Sequence, residues 1–507
     1  MGNGMATPEV LYRSTRGDKE IVKSSRAILR GLAPDGGLYV PDYLPRFTRP
    51  WREFSRMDYH EIAFEVMRML LTDFTDDELL YCIDNAYDEK FDAPDIAPIT
   101  CADGDYFLEL WHGKTLAIKD MALSILPYLM TTAAKKNRED HEIVILTATS
   151  GDTGKAALEG FADVKGTKII VFYPKHGVSP VQEKQMVTQQ GSNVHVVGIE
   201  GNFDDAQNGV KALFTDASLR GRMEERGYRF SSANSINIGR LVPQIAYYVY
   251  AYAKLLKENE IGDGYAINIC VPTGNFGNIL AAYYATRMGL PVKKLLCASN
   301  SNRVLFDFFR TGTYDKNRDF LLTGSPSMDI LISSNLERLI YHIAGDDTDR
   351  NLGLMKQLSR EGRYAISRDM EAQLDQFYGG YASEAECEGA IRRLFEKTGY
   401  LVDTHTSVGY AVHRRYKNET GDDTATVIAS TASPYKFTRY VVNALNGRPF
   451  KDESDKSDDF ALAAKLSEMT GTKVPEQVLQ LEHAPVLHDH VCDLDGMKAE
   501  VKRFLDL

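Results

Sequence analysis

The chain reads as an α/β protein with two open α/β domains and a small domain ahead of them. Three observations lead there. From residue 106 onward, short apolar runs of strand length alternate with longer runs of helical spacing, the pattern of parallel sheets covered by helices. Four polar loops rich in glycine, serine and threonine come at or near the ends of strand-like runs, where such sheets place their ligands. The alternation begins only after the proline- and aspartate-rich FDAPDIAP at 91–98, which closes off a first segment of different texture.

In chain order, the first segment opens with LYRSTRG at 11–17 and GLAPDGGLYVP at 31–41. There Gly36-Gly37, following Pro34-Asp35, signals a turn before the extended run 38–40. Apolar residues at helical spacing over 59–70 and 76–87 complete a small N-terminal domain, placed at 1–100. Beyond it, strands are expected at 142–146, 168–172, 194–198, 266–271, 294–298 and 424–429. Helices are expected at 121–136, 154–164, 180–190, 203–216, 241–258 and 278–287. The charged stretches KNETGDD at 417–423 and DESDKSDD at 452–459 read as solvated loops.

Composition narrows the function. A net charge of −12 over 507 residues argues against a nucleic-acid partner, though a locally positive pocket for a small anion remains compatible. The six cysteines are widely spaced and form neither a disulfide framework nor a metal-like pair, which suits a reducing compartment, and no metal is expected. The first residues lack a signal-peptide core, Gly2 is not followed by serine or threonine at position 6, and no apolar run reaches membrane-spanning length. A soluble, cytoplasmic protein without a membrane partner is the expectation.

The chemistry concentrates in a few stretches. In FLELWHGKTLAIKD at 107–120, Lys119 stands one residue ahead of the apolar run MALSILPYLM. A lysine near a helix start reads either as a Schiff-base residue, its neutral amine favoured there, or as a surface lysine in a first turn. The loop Thr147-Ala148-Thr149-Ser150-Gly151-Asp152-Thr153-Gly154 gathers backbone amides and hydroxyls around one point and would hold a carboxylate or phosphate; an ordinary turn is the alternative. The loop Pro272-Thr273-Gly274-Asn275-Phe276-Gly277-Asn278 could cradle a phosphate at a helix start; it lacks the third glycine of a dinucleotide fingerprint. Arg240, after the polar run 231–239, could hold an anionic substrate or lie on the surface, and STASPYKF at 430–437 is a fourth polar loop.

Taken together, LYRSTRG, GLAPDGGLYVP, WHGKTLAIKD at 111–120, TATSGDTG at 147–154, SPVQEKQM at 179–186, NSIN at 234–237, PTGNFGN at 272–278 and DTHTSVGY at 403–410 closely resemble the long form of the threonine synthases. The resemblance covers essentially the whole chain. It implies the pyridoxal-phosphate-dependent fold type II, similar to tryptophan synthase beta, with a smaller α/β domain over 135–235 and a larger one over 101–134 and 236–507. Lys119 would carry pyridoxal 5'-phosphate as a Schiff base and move protons. Gly274, Asn275, Phe276, Gly277 and Asn278 would bind its phosphate, and Thr431 its ring nitrogen. Thr149, Ser150, Gly151, Asp152, Thr153 and Asn237 would face the substrate, and Lys114, Arg240 or, with a weaker claim, Lys155 its phosphate. His112 reads equally as a packing residue or a substrate hydrogen-bonding group.

The implied reaction turns O-phospho-L-homoserine and water into L-threonine and phosphate. The implied assembly is a monomer or homodimer, and no activation by S-adenosylmethionine is expected. Three positions depart from the family pattern: Lys114 stands where many members have proline, Ile118 where phenylalanine is common, and Ser433 where histidine often follows the threonine-alanine pair. These bear on the product more than on the cofactor. The alternatives are a phospholyase giving 2-oxobutyrate, ammonia and phosphate from the same substrate, and, more remotely, a non-catalytic binding protein on the same fold.

Overall fold

The computed structural model describes residues 8–149, 151–178 and 180–507. At the N-terminus, strands Val22–Lys23, Leu11–Ser14 and Tyr39–Pro41 form an antiparallel sheet in that order. Helices Tyr59–Leu70 and Asp76–Ala86 each begin with a capping box, Asp58 with Glu61 and Thr75 with Glu78, which satisfies backbone donors at both helix starts. Their apolar faces, Ile62, Val66, Leu79 and Ile83 among them, share one core with Leu241, Ile245 and Tyr248 of the long helix Ile238–Lys257. The N-terminal segment is therefore packed into the body of the molecule.

The larger sheet runs Phe377–Tyr381, Val292–Ser299, Ile267–Pro272, Thr426–Ser430, Asp105–Glu109, Ile99–Ala102, with only the last pair antiparallel. The smaller sheet, all parallel, runs Val491–Cys492, Val194–Ile199, Thr167–Pro174, Glu142–Ala148, Tyr228–Ser231. Four of the six expected strands extend by one or two residues at their ends where observed, and the other two, Ile267–Pro272 and Thr426–Ser430, are shifted toward their carboxyl ends. Val194–Ile199, Ile267–Pro272 and Thr426–Ser430 are buried throughout and Glu142–Ala148 at all but its ends, so their apolar runs were continuous and readable. The expected helix at 121–136 is two helices, Lys119–Leu123 and Leu126–Lys136, because Pro127 lacks an N–H and fits only a first turn.

Two sequence expectations give way. The C-terminal residues, assigned to the larger domain, end on the smaller one. Val491 and Cys492 pair with Gly198 and Ile199, and Met497, Val501 and Leu505 of the helix Met497–Leu505 enter the core formed by Val144, Ile170 and Val197. A two-residue strand is too short to be read by alternation. The run 417–423 is also more than a solvated loop: Asp422 accepts hydrogen bonds from Asn268 Nδ2 at 3.1 Å, Lys293 Nζ at 2.8 Å and the Tyr416 hydroxyl at 2.7 Å, tying it to the strands beside it. Among the described residues no helix is long and apolar enough to cross a membrane, and no histidine, cysteine and carboxylate cluster could hold a metal.

Candidate active site

Lys119 is placed by a pairing remote in sequence. Residues 116–118 lie antiparallel to 431–433: the Ile118 N–H donates to Thr431 O at 2.8 Å and the Ser433 N–H to Leu116 O at 3.0 Å. This brings the first residue of the helix Lys119–Leu123 to the carboxyl end of the strand Thr426–Ser430, beside the buried Thr431. The next residue anchors the turn from below. Asp120 is buried and accepts the Thr115 N–H at 2.8 Å and the Thr115 hydroxyl at 2.7 Å. Burial outweighs those bonds and pushes its carboxyl up to about 6. Only glycine fits at 113, where a Cβ would come within 2.5 Å of Asp120 Oδ2.

The amine of Lys119 is pulled down to about 8, first by burial and then by the positive charges of Arg240 and Lys436, with Asp152 opposing. At neutral pH an appreciable fraction is therefore unprotonated, the form that attacks a carbonyl.

The loop after the strand Ile267–Pro272 is built to present backbone donors. Ser333 Oγ donates to Gly274 O at 2.7 Å, and both the N–H and the side-chain amide of Asn335 donate to Asn275 O at 3.1 Å. With its carbonyls drawn away, the loop leaves the N–H groups of Gly274, Asn275 and Phe276 without an acceptor among the described residues. Phe276 takes a left-handed conformation, φ 67°, at the start of the helix Gly277–Arg287, held there by a fully buried ring against Phe309 and Phe377. A Cβ on Gly274 would come 2.5 Å from Ser327 O. Asn278 directs its amide to Pro272 O at 3.2 Å and so closes the loop on itself.

Across the cleft, the strand Glu142–Ala148 delivers Gly151, Asp152 and Thr153 to the start of the helix Asp152–Phe161. Asp152 is buried and reaches the larger domain: Lys436 Nζ lies 3.1 Å from its Oδ1, where Gln182 Nε2 also donates at 3.1 Å, and Ser327 Oγ is 3.4 Å from Oδ2. Burial works against ionisation, yet Lys436 and Gln182 hold the carboxyl below the usual carboxylate range. Lys436 is itself almost wholly buried and donates to Thr115 O at 2.7 Å.

The sequence reading did not single out Lys436, Ser327 or His405. His405 is fixed between Asp403, 2.7 Å from its Nδ1, and the Ser327 N–H, which donates to Nε2 at 3.1 Å. An accepting Nε2 leaves the proton on Nδ1, facing Asp403. Lys436 lay within the quoted STASPYKF run, and Asp403 and His405 open DTHTSVGY, so the stretches were flagged without the roles.

Arg240 is buried; its Nη1 donates to Ala233 O at 3.1 Å and its Nε has no partner among the described residues. Burial pulls the guanidinium down to about 10, and its charge is felt at Lys119. The other candidates sort by what already occupies them. Lys114 is exposed, and Lys155 is taken by Glu159 at 3.0 Å and by Gln189. The Thr149 hydroxyl accepts the Gly151 and Gly154 N–H groups at 3.0 and 2.9 Å, so it braces the loop from inside.

Asn237 spends both amide hydrogens on Ile28 O and Ser232 O and caps the Gly239 N–H, which makes it a joint to the N-terminal domain. His112 sits 2.6 Å from Asp92 and 2.7 Å from Glu109 and stacks on Trp111, with no ring nitrogen left for a ligand. Ser150 lies outside the described residues.

These features fit pyridoxal phosphate: a depressed lysine amine, a ring of free backbone N–H donors where a Cβ would collide, and a buried arginine with an orphaned Nε. Comparison with known proteins agrees. Residues 11–87 match the family described as threonine synthase N terminus, 93–431 the pyridoxal-phosphate dependent enzymes, and 406–502 the threonine synthase C-terminal family. Threonine synthase of Schizosaccharomyces pombe is 36% identical over 86% of this chain and 90% of its own length. Human threonine synthase-like 1 is 38% identical over 85% of this chain, which spans 59% of that protein's length.

The crystal structure of PLP-bound threonine synthase from Brucella melitensis superposes with a TM-score of 0.85 at 34% identity, covering 98% of this chain and all of the other. Yeast threonine synthase gives 0.85 at 30%, covering 98% and 99%. The chain belongs to the threonine synthase family of pyridoxal-phosphate-dependent enzymes, and its cofactor is pyridoxal 5'-phosphate.

Proposed function

We propose that the chain converts O-phospho-L-homoserine and water to L-threonine and phosphate. The observation that carries this is the pairing of Lys119, a proton carrier depressed to about 8, with the buried, half-satisfied Arg240 close enough to act on its charge. A substrate that sheds phosphate next to a moving proton needs both. Bound pyridoxal phosphate supplies the electron sink that acidifies the substrate's Cα and Cβ protons. Gly274, Asn275, Phe276, Gly277 and Asn278 would hold its phosphate, the first three through their free backbone N–H groups, and Thr431 would meet its ring nitrogen.

Lys119 takes the Cα proton, then the Cβ proton as phosphate leaves Cγ, and delivers protons to Cγ and Cα while water adds at Cβ. Arg240 receives the phosphate through its free Nε–H, with Lys436 adding positive potential. Asp152 and Thr153 orient the amino acid from the facing domain together with the neighbouring Ser150 and Gly151. Closure of the smaller domain over the cleft would exclude bulk water early and must admit one molecule later.

A second reading has its own support: identity to the threonine synthase-like 1 proteins is as high as to the threonine synthases. On that reading the product is 2-oxobutyrate with ammonia and phosphate. Incubating the cofactor-loaded protein with O-phospho-L-homoserine and quantifying threonine, 2-oxobutyrate and phosphate separates the two, with Lys119→Ala in parallel. Threonine formed one-for-one with phosphate and lost in the variant is the expected result. Dominant 2-oxobutyrate selects the second reading, and no phosphate release abandons the substrate.

A further inference from the structure

Arg338 is fully buried and has no carboxylate partner among the described residues. The adjacent Glu337 is spoken for by Thr15 at 2.7 Å and by a two-pronged contact from Arg16 at 2.9 and 2.8 Å. Burying a cation without an anion costs several kcal/mol, so its retention calls for an anion delivered from elsewhere. Its three arms show where. Nε donates to Tyr39 O of the N-terminal domain at 2.9 Å, Nη2 to Ile236 O at 2.6 Å, and Nη1 to Oδ1 of Asn335. That last contact fixes which end of the Asn335 side chain is the amide, and the amide joins the Asn335 N–H in pulling the Asn275 carbonyl out of the phosphate loop.

We propose that Arg338 is a positioning residue for the cofactor's phosphate, orienting Asn335 so that the 274–276 N–H groups face inward and lending the site a buried positive charge. The N-terminal domain thereby takes part in cofactor binding without touching it, since Tyr39 O holds the third arm. The guanidinium, lowered by burial to about 10, stays charged at neutral pH. The inference rests on 274–278 being the phosphate loop, and its test separates the two claims.

Full-length protein is stripped of cofactor and titrated with pyridoxal phosphate and with pyridoxal, which lacks the phosphate, reading the absorbance of the lysine-bound cofactor; melting of the stripped protein checks folding. Arg338→Met is expected to weaken pyridoxal phosphate about tenfold or more and pyridoxal less than about twofold, a loss of phosphate preference that general loosening does not produce. Equal losses for both ligands, or none, overturn the proposal. Should Arg338→Met fail to fold, Asn335→Ala must show the same phosphate-specific loss, and equal losses there overturn it equally. Gly274→Ala is the control for the loop. If it abolishes the phosphate preference while Arg338→Met keeps it, only the role of Arg338 falls; if it keeps the preference, the loop assignment falls and the inference with it.

Discussion

Lys436→Met tests a buried ion pair across the cleft. The Lys436 side chain is 1% exposed and its ion pair with Asp152, 7% exposed, bridges the larger and smaller domains at 3.1 Å. Removing one partner of such a pair strands the other charge, and the expected loss is about 3–5 kcal/mol, a large share of a typical domain's stability. Asp152→Asn on top of Lys436→Met removes the stranded charge and should recover at least about half of that.

Acid should narrow the gap. In the parent, Asp152 titrates below the usual carboxylate range, so the pair's contribution is full above the unfolded value near ~3.9 and fades as pH falls through the folded one. In Lys436→Met, burial prevails, the carboxyl takes up its proton at higher pH, and the deficit shrinks from there downward. Urea unfolding of the cofactor-loaded proteins, followed by protease sensitivity of the cleft, measures this. A loss below about 1 kcal/mol, or no recovery in the double variant, refutes the pairing as a structural bond. The same variant removes one of the charges depressing Lys119, so the pH midpoint for pyridoxal incorporation should move up from about 8; an unmoved midpoint refutes that part.

Other substitutions probe neighbouring points. His112 is raised to about 9 because Asp92 and Glu109 overcome its burial, so its contribution is complete below about 6.5 and is lost as pH rises through 9; His112→Gln should erase about 2 kcal/mol of pH-dependent stability over that window, read as converging melts at alkaline pH. Gly113→Ala drives a Cβ to 2.5 Å from a carboxylate oxygen that Thr115 holds in place, and should cost about 1–3 kcal/mol with weaker cofactor loading; normal loading would show that Asp120 can yield.

The legible parts of the molecule were those encoded locally. The fully buried strands Val194–Ile199 and Ile267–Pro272 carry continuous apolar runs, and the glycine spacing of 272–278 marks the loop we propose for the cofactor's phosphate. Lys436 was not legible as a partner of Asp152, because nothing at 436 announces a carboxylate nearly three hundred residues earlier. Arg338 and Asn335 are hidden for the same reason: their task is to hold carbonyls of Tyr39, Ile236 and Asn275, and carbonyls leave no mark on sequence. Asn237 shows the converse. A polar residue inside a recognised motif invites a ligand, yet its amide is consumed by a helix cap and two carbonyls.

The return of residues 491–505 to the smaller domain has a consequence for synthesis. The strand Val194–Ile199 presents an unpaired edge until Val491 and Cys492 arrive, and three apolar side chains of that domain's core come from the final helix. The larger domain's residues are made between that strand and its partner, so during synthesis the sheet edge and the core stay open over that whole interval, the kind of surface that recruits chaperones or neighbouring chains. A chain cut ahead of Val491 would keep all the chemistry of the cleft in its sequence and leave the smaller domain's edge and core open.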